Sequence, residues 1–531
     1  MLQKSTLDIT LAGSLQGLVL DYLKKKSELR PFYSVFPDME GFKEALDKNP
    51  YASLNRDLLK EELIQQHQRV SNTSAETISN ISKLGESNCY TITTGHQLCL
   101  FTGPLYFVTK IISAIRLSQQ LNEQFPERQF VPVYWMASED HDFDEINHCV
   151  VYGKTVRWES KQTGAVGEFT TEGLKEVLDA MKDVLGPSPQ AGELMSLFEA
   201  SYLNHQSLSD ATRYMVNALF GRYGLVVVDG NNKSFKSICT SLFKKDLFTQ
   251  SIHQQVSTQI NSLKALGYEA QVNPRAINLF YLNNGVRARI EKDGDAFQVV
   301  GHSIRFTEGE LTALLEQEPQ RFSPNVVLRP IYQQLLLPNL AYVGGPGEIA
   351  YWLEFKSAFD ANAVYFPLLI PRDFNTIVDK GLQNKLSKLG FDLPEVFKAE
   401  ATLVQEFQAR HNRVFEAADV KTKLETLYTE LGESILTVDK SLKGSVSAEM
   451  QKALGGIEAL VAKANKALKL QSEQEINQIK SIKQKLFPDQ VPVERVENFS
   501  SYYLRYGSSF MEALISGSDP LVFDQKLYLE Q

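Results

Sequence analysis

Two runs of strand-forming residues, at 89–94 and 130–137, are each followed by polar residues. The first run, CYTITT at 89–94, leads through a glycine-containing loop to Pro104, after which Leu105 and Val108 begin a helical spacing of apolar residues. The second run, FVPVYWMA at 130–137, is apolar almost throughout, as a parallel strand covered on both faces should be. The pattern therefore predicts a βαβ unit.

Three later apolar runs predict further strands of the same sheet. They lie at 225–229 (LVVVD), 340–343 (LAYV) and 364–370 (VYFPLLI), with helical segments between them. The predicted fold class is therefore α/β, with a Rossmann-like parallel-sheet core. Small α/β elements are expected as inserts near 155–192 and 270–301, and the second insert carries hairpin signals at Asn284-Gly285 and Asp293-Gly294.

Apolar residues spaced alternately by four and three predict a helical hairpin near the carboxyl end. They are Leu424, Tyr428, Leu431, Ile435, Val438 and Leu442, and, after a break at Gly444-Ser445, Met450, Leu454, Ile457, Val461, Ala464 and Leu468. Heptad seams on both sides of a helix breaker predict an antiparallel coiled coil, with arms of about 40 residues and on the order of 60 Å. We expect a homodimer through this coiled coil; the alternative is a hairpin that packs only on itself.

These patterns divide the chain into four segments. Residues 1–88 are expected to form a helical segment that packs on the core, and residues 89–375 the Rossmann-like core with its inserts. Residues 376–487 are expected to form the helical coiled-coil domain, and residues 488–531 to return to the core.

Composition narrows the class of protein. A chain of 531 residues, 43% hydrophobic and 22% charged, is typical of a globular protein with more than one core. A net charge of −9 argues against a dedicated nucleic-acid binder. No segment approaches the roughly 20 apolar residues that span a bilayer, and no leader pattern opens the chain, so we expect a cytoplasmic location without a membrane partner. Four cysteines without a C-x-x-C pair predict neither a disulfide framework nor a structural zinc site.

The segment TTGHQLCLFTGPLYFVTK, residues 93–110, is a candidate anion site after a strand. Gly95 permits a sharp turn, His96 and Gln97 lie in the same loop, and Gly103 precedes the start of a helix. Backbone N–H groups at a helix start favour phosphate or carboxylate, and a histidine there can donate to a phosphate oxygen. The alternative is that His96 only satisfies the backbone of its loop.

The segment SEDHDFDEINH, residues 138–148, ends the second strand with an unusual density of carboxylates and imidazoles. Such a cluster can bind a divalent cation, act as a general base toward an amine, or hold an ammonium group. We favour Asp140, His141 and Asp142 as the residues that face inward. The alternative is a solvated acidic helix start.

A third glycine-rich junction, VGGPGEIAYW at 343–352, also joins a strand to a helix. Gly345 lies in the turn and Glu348 in the first helical turn. Arg329 and Arg372 are expected near the same edge of the sheet, where they could clamp a carboxylate or phosphate. Ion pairs with the abundant acidic residues are an equally good interpretation of each arginine.

Six segments together resemble one family, the BshC-type cysteine-adding enzymes of bacillithiol biosynthesis. They are TTGHQLCLFTGPLYFVTKIISAI, VPVYWMASEDHDFDEIN, RFSPNVVLRP, YVGGPGEIAYW, FPLLIPR and ERVENFSSYYLRYG. The segments spread over most of the chain in the order that the family has, which makes them far more specific than one glycine motif.

The resemblance implies an ATP-linked ligase that joins the carboxylate of cysteine to the amine of glucosaminyl malate and so gives bacillithiol. It also implies a Rossmann-like core with connecting inserts and a coiled-coil dimerisation domain. The core resembles the nucleotidylyltransferase and class I tRNA-synthetase group, in which an H-x-G-H loop holds ATP. Here the tetrapeptide is Thr93-Thr94-Gly95-His96, without the first histidine, so adenylate and acyl-phosphate activation both stay open.

The resemblance also suggests roles for the candidate residues. Gly95, His96, Gln97 and the helix start at Gly103 would hold nucleotide phosphates, and Asp140 or Asp142, with His141 beside them, would take the proton of the attacking amine. Arg329, Gly345, Glu348 and Arg372 would bind substrate, the two arginines receiving the malyl carboxylates. Arg495, Asn498 and Tyr506 in the last matching segment could reach a nucleotide base or phosphate, but an amphipathic helix docked on the core is the favoured interpretation of that segment. ATP would leave as ADP or AMP, with a divalent cation as a possible companion.

Two other functions stay open from the sequence. Asp140, His141 and Asp142, with Glu145 and His148 nearby, could collect zinc or manganese in a metal-dependent hydrolase. Alternatively, the chain could be a non-catalytic assembly protein in which the coiled coil is the functional part.

Overall fold

The computed structural model describes residues 2–48, 50–51, 54–411 and 413–531. The chain forms two compact units, one of Met1–Ile377 with Glu494–Gln531 and one of Val378–Val493. The first unit therefore contains both ends of the chain. The sequence placed the corresponding boundaries after residues 375 and 487.

Strands and helices are interspersed along the first unit, and the second unit is mainly helical. In chain order the strands are β1 (Leu2–Leu7), β2 (Cys89–His96), β3 (Gln129–Met136), β4 (His148–Val151), β5 (Lys154–Arg157), β6 (Val226–Asp229), β7 (Leu279–Asn283), β8 (Val286–Asp293), β9 (Ala296–Val299), β10 (Arg305–Thr307), β11 (Phe322–Pro324), β12 (Asn339–Gly344), β13 (Leu368–Pro371), β14 (Phe374–Val378) and β15 (Gln525–Glu530). The helices are α1 (Ile9–Ala12), α2 (Gly17–Leu23), α3 (Met39–Asp47), α4 (Arg56–His67), α5 (Ala75–Lys83), α6 (Leu105–Gln124), α7 (Phe143–Ile146), α8 (Leu174–Leu185), α9 (Pro189–Leu203), α10 (Leu208–Phe220), α11 (Lys233–Ile238), α12 (Thr240–Lys244), α13 (Ser251–Ala265), α14 (Glu308–Gln317), α15 (Arg329–Leu336), α16 (Pro346–Trp352), α17 (Lys356–Ala361), α18 (Lys380–Lys388), α19 (Glu400–Arg410), α20 (Ala418–Val438), α21 (Lys443–Gln471), α22 (Glu473–Leu486), α23 (Ser500–Tyr506) and α24 (Ser508–Gly517).

The centre of the first unit is a five-stranded sheet in the order β13-β12-β2-β3-β6. All of its strand pairs are parallel, which confirms the predicted Rossmann-like core. Alternate residues of β3 enter different core clusters, Val133 and Trp135 on one face and Tyr134 and Met136 on the other, so the strand is covered on both faces. Along the chain, β3 and β6 are added on one side of β2, and β12 and β13 are added on the other. The switch point of the sheet therefore lies between β2 and β12, and open α/β sheets bind ligands at such a point.

The amino-terminal segment differs from the helical expectation at its start. Strand β1 pairs antiparallel with β15, from Leu2 opposite Glu530 to Leu7 opposite Gln525, and β14 completes this three-stranded sheet. A strand that pairs with residues at the other end of the chain leaves no local signal beyond its own short alternation. Strand β13 also begins later than predicted, at Leu368, directly after Pro367, which has no N–H group for the ladder.

The second insert forms the hairpins that its turns predict. Strands β7 and β8 pair antiparallel across Asn284-Gly285, and β8 and β9 across Asp293-Gly294. Asn284 and Gly285 both have positive φ values, of 39° and 79°, as a tight hairpin turn requires. With β10 and β11 they make a sheet in the order β10-β9-β8-β7-β11. The first insert contains α8 and the start of α9, which follow β5.

The second unit contains the predicted antiparallel hairpin, formed by α20 and α21. Lys421 Nζ lies 2.7 Å from Glu458 Oε1, and the amide of Asn465 contacts the backbone of Phe415, so the two helices run in opposite directions. The predicted arms of about 40 residues are wrong, because α20 has 21 residues and α21 has 29.

The predicted break at Gly444-Ser445 is also wrong, since both residues lie inside α21. The helices separate at Asp439, whose backbone is extended and whose carboxylate accepts the N–H of Ser441. This aspartate caps the next helical turn, whereas one glycine inside a helix costs only about 1 kcal/mol.

Candidate functional site

A cavity of about 650 Å³ lies at the switch point of the parallel sheet. Its walls come from the carboxyl ends of β2 and β3, from the junction of β12 with α16, and from the sheet of the second insert. Its lining includes Gly95, His96, Gln97, Tyr106, Glu139, Asp140, His141, Glu145, Arg275, Asn278, Phe280, Arg287, Arg289, Asn325, Arg329, Tyr342 and Glu348. The insert therefore supplies part of the cavity wall.

The turn after β2 and the acidic tip of β3 meet in this cavity. Gln97 Nε2 lies 2.8 Å from Asp140 Oδ2 and 2.7 Å from Glu145 Oε2, so one amide donates to two carboxylates. Strands β2 and β3 are neighbours, paired up to His96 opposite Met136, and this register brings the two tips together. The structure thus joins the two segments that the sequence singled out.

Asp140 is held as a carboxylate. Burial raises its pKa, but hydrogen bonds from His141 and Gln97, together with the charge of Arg287, outweigh burial and leave the pKa of Asp140 below its usual range. The backbone N–H of His141 donates to Asp140 Oδ1 at 2.8 Å, and Arg287 Nη1 lies 3.8 Å from the same oxygen. A carboxylate so stabilised is a weak base and a good partner for a cation.

His96 presents a neutral imidazole to the cavity. Its ring centroid lies 5.1 Å from the rings of both Tyr106 and Phe107. Burial, followed by the charges of Lys110 and Arg372, lowers the pKa of His96 well below its ordinary value. Nε2 is buried and has no hydrogen-bond partner among the described residues. A buried polar atom without a partner is costly, so this nitrogen is a natural contact for a ligand.

Lys110 contacts two residues of the cavity wall, Gly95 and Glu348. Its side chain is 1% exposed, and Nζ lies 2.5 Å from Glu348 Oε1 and donates to the carbonyl of Gly95. The hydroxyl of Tyr342 donates to the other oxygen of Glu348 at 2.9 Å. Lys110 lies within the first candidate segment, but the sequence analysis missed it; its signal is a lysine among the mainly apolar buried positions of α6.

The cavity lining includes four arginines, Arg275, Arg287, Arg289 and Arg329. Arg329 begins α15, lines the cavity and donates to Gln333 Oε1 at 2.9 Å. Arg287 comes from β8, is 7% exposed, lies 4.0 Å above the ring of Phe280, and approaches His141 Nδ1 to 2.7 Å. The sequence did not predict Arg287, because nothing in the chain shows that the insert faces the sheet edge.

Arg372 lies outside the cavity. Its Nη1 lies 2.8 Å from Glu494 Oε1, with both side chains buried, and its guanidinium stands over the rings of Tyr106 and Phe374. The ion-pair interpretation therefore describes Arg372. Arg495 also stands over the Tyr106 ring, 5.9 Å from its centroid, but does not line the cavity.

The helix start after Gly103 is covered by the carboxyl-terminal segment. The N–H of Gly103 donates to the carbonyl of Leu100 at 2.8 Å, and the N–H of Leu105 donates to the carbonyl of Glu497 at 2.8 Å. The side chain of Asn498 donates to the carbonyl of Gly103. Because protein acceptors already take these N–H groups, the structure does not offer them to an anion, contrary to the interpretation from sequence.

The remaining candidates also stand apart from the cavity. Asp142 is exposed and precedes the short helix α7. Gly345 is the N-cap residue of α16, where its carbonyl accepts the N–H of Ile349. Tyr506 ends α23 and stacks against Phe510. None of these three residues lines the cavity.

The residues that the structure describes do not assemble the ligand set of a metal-dependent hydrolase. Within the described part of the chain, no three His, Cys, Asp or Glu side chains converge as metal ligands. Asp140 faces the cavity, whereas its neighbour Asp142 is exposed.

In the described residues, no helix is long and apolar enough to cross a membrane.

Comparisons with known proteins agree with this architecture. The family model for bacillithiol biosynthesis BshC, N-terminal Rossmann-like domain, matches residues 3–373, and the model for the C-terminal coiled-coil domain matches residues 375–529. A relative from Flavobacterium johnsoniae, named "Putative cysteine ligase BshC", is 39% identical over 513 residues and 96% of each chain. A relative of the same name from Christiangramia forsetii is 40% identical over 96% of each chain. Another from Bacillus licheniformis is 29% identical over 93% of this chain and 94% of the relative. The chain therefore belongs to the BshC family of bacillithiol biosynthesis.

Proposed function

We propose that this protein is an ATP-dependent cysteine ligase, which joins the carboxylate of cysteine to the amine of glucosaminyl malate and so forms bacillithiol. The observation that carries the proposal is the hydrogen bond of Gln97 to Asp140, which unites the two strand tips in one cavity at the switch point. The name of the relatives, "Putative cysteine ligase BshC", supports the same reaction.

The reaction needs activation, because neither oxygen of a carboxylate can leave when an amine attacks its carbon. A carboxylate oxygen of cysteine attacks the γ- or α-phosphorus of ATP and releases ADP or pyrophosphate. The amine nitrogen then attacks the activated carbonyl carbon, and phosphate or AMP leaves with the electron pair of the broken C–O bond. The amine must arrive unprotonated, so a proton has to be lost before this attack.

The geometry supports a division of roles within the cavity. His96 Nε2 would contact a phosphate oxygen as a neutral donor, with Gln97 beside it. Arg329 and Arg287 would receive the malyl carboxylates, since both guanidiniums reach the cavity wall. Asp140 would hold a substrate ammonium group, because the lowered pKa of its carboxyl makes it a poor proton acceptor.

The proposal includes a homodimer formed through α20 and α21. Leu431 and Val438, two predicted seam residues, are 53% and 85% exposed, and Leu427 and Leu460 are exposed beside them. Apolar side chains of this size on a two-helix hairpin favour a second copy as their cover. As ATP and low-molecular-weight thiol precursors are cytoplasmic metabolites, the proposal places the enzyme in the cytoplasm.

The test is to supply the purified protein with cysteine, glucosaminyl malate, ATP and Mg²⁺ and to follow the amide by mass spectrometry. We expect an amide that depends on every component, and the nucleotide released, ADP or AMP, identifies the activation route. EDTA reports the need for a divalent cation. Nucleotide release without amide, or no turnover under any of these conditions, would remove the proposed function.

A further inference from the structure

Asp246 is a buried carboxyl without a cationic partner. It lies in a π-helical turn, Lys245–Thr249, and its exposed fraction is 0%. No Lys, Arg or His forms an ion pair with it among the described residues. A buried carboxyl of this kind costs free energy unless its oxygens accept hydrogen bonds.

Both oxygens of Asp246 accept N–H groups of one residue, Asn278. The backbone N–H of Asn278 lies 2.6 Å from Asp246 Oδ2, and Nδ2 lies 3.0 Å from Oδ1. The side-chain amide of Asn278 is therefore fixed, with its Nδ2 toward Asp246 and its Oδ1 turned away. Asn278 lines the cavity.

The orientation of Asn278 is passed on to α15. Asn278 Oδ1 accepts from Asn325 Nδ2 at 3.0 Å, and the carbonyl of Asn278 accepts the N–H of Asn325 at 2.9 Å. Asn325 Oδ1 in turn accepts the N–H groups of Val327 and Leu328, at 2.9 and 3.2 Å, and its carbonyl accepts the N–H of Arg329. The entry to α15 is thus fixed by Asn325.

We propose that Asp246 is a positioning residue, which acts through Asn278 and Asn325 to set Arg329 in the cavity for a carboxylate-bearing substrate. The series of hydrogen bonds is continuous, and Asn278, Asn325 and Arg329 all line the same cavity. Asp246 touches no substrate itself. The inference rests on the proposed function for the identity of the substrate, but the structural coupling does not.

The ionisation of Asp246 agrees with this role. Burial raises the pKa of Asp246 to about 7, although the two hydrogen bonds from Asn278 act in the opposite direction. The hydrogen bonds from Asn278 favour the ionised form, in which both oxygens of Asp246 are acceptors. An asparagine at the same place keeps only one acceptor and turns an NH₂ group toward a donor.

A double-mutant cycle tests the series. Asp246→Asn and Asn325→Ala should each raise the KM for glucosaminyl malate about tenfold, with kcat changed less than twofold. The KM of the double variant should be no higher than that of the more impaired single variant, because both changes break one connected series of hydrogen bonds. Val256→Ala, in the buried core position on the following helix α13, is the control for lost stability without a break in the series. Additive effects, or equal KM changes in Val256→Ala, would overturn the inference.

Hydrogen exchange supplies a readout that needs no activity. Asp246→Asn should speed exchange in a peptide covering residues 325–333, and Val256→Ala should not. If the wild type forms no amide, the proposed function fails while this measurement still decides the coupling. Unchanged exchange at 325–333 in Asp246→Asn would overturn the coupling even in an active enzyme.

Discussion

Gln97 Nε2 lies 2.8 Å from Asp140 Oδ2, so a direct hydrogen bond joins the turn after β2 to the tip of β3. The same amide donates to Glu145 Oε2 at 2.7 Å. One neutral group thus holds two carboxylates that would otherwise repel each other. The acidic side of the cavity depends on this amide for its shape.

Replacing Gln97 should therefore disturb the cavity without unfolding the protein. Gln97→Leu removes both hydrogen bonds and should lower the rate of amide formation at least tenfold. Gln97→Glu should be worse, because it adds a third negative charge beside two carboxylates. Gln120→Leu is the matched control, since Gln120 donates to Asp519 away from the cavity. Equal activity of Gln97→Leu and Gln120→Leu would contradict this prediction.

The neutral state of His96 leads to a second prediction. Because burial lowers the pKa of His96 well below its usual value, its imidazole should stay uncharged between pH 6 and 8. NMR of the labelled imidazole should show no titration over this range. His96→Ala should abolish amide formation with little change in Tm, while His302→Ala, at an exposed position, should keep full activity. Wild-type turnover in His96→Ala would remove His96 from the mechanism.

Elements with a local signal could be predicted from the sequence. The apolar run of β3, the strand and helix start around Pro104, and the turns at Asn284-Gly285 and Asp293-Gly294 each have a period or a turn residue of their own. The meeting of two strand tips followed from the rule that parallel neighbours end at one edge of a sheet. That rule needed no knowledge of distant contacts.

Features that depend on distant partners could not be predicted. Strand β1 forms because residues 525–530 pair with it, and Arg287 reaches the cavity because its insert folds over the sheet edge. Gly103 has the sequence of an anion site, yet Glu497 and Asn498 return from the other end of the chain to occupy its surroundings. Whether the helix start after Gly103 is open to an anion or covered by protein therefore depends on contacts with residues 497 and 498, far away in the sequence.

The buried pair of Arg372 with Glu494 should matter for stability rather than for substrate binding. Arg372→Met leaves the buried Glu494 unpaired and should lower the free energy of unfolding by about 3–5 kcal/mol. Arg372→Met combined with Glu494→Leu should recover much of that loss, because no lone charge is left. Denaturant unfolding checks both values. A raised KM for glucosaminyl malate in the stable double variant would return Arg372 to the substrate site.

Glu354 should make stability fall as pH rises. It is 1% exposed and accepts the N–H groups of Gln271 and Val272, while burial raises its pKa from 4.5 to about 7. The folded state thus binds the proton of Glu354 more tightly than the unfolded state does. The protonated group therefore adds to the free energy of unfolding fully below pH 4.5, and this contribution is lost as pH rises through about 7. Relative to Glu354→Gln, the wild type should lose about 2 kcal/mol between pH 5 and 8. Unfolding at both pH values measures this, with the exposed Glu40→Gln as control; parallel curves for wild type and Glu354→Gln would refute it.

The exposed apolar face of α20 should hold the dimer together. Leu431 is 53% exposed on this helix, so Leu431→Glu would place a charge in an interface with a second copy but would disturb little in the isolated hairpin. We expect light scattering after size exclusion to show a dimer for the wild type and a monomer for Leu431→Glu. Thr429→Glu adds the same charge at an exposed polar position of α20 and should stay dimeric. A monomeric wild type would show that the hairpin packs only on itself. A Leu431→Glu dimer as stable as that of Thr429→Glu would show that this face of α20 does not form the interface.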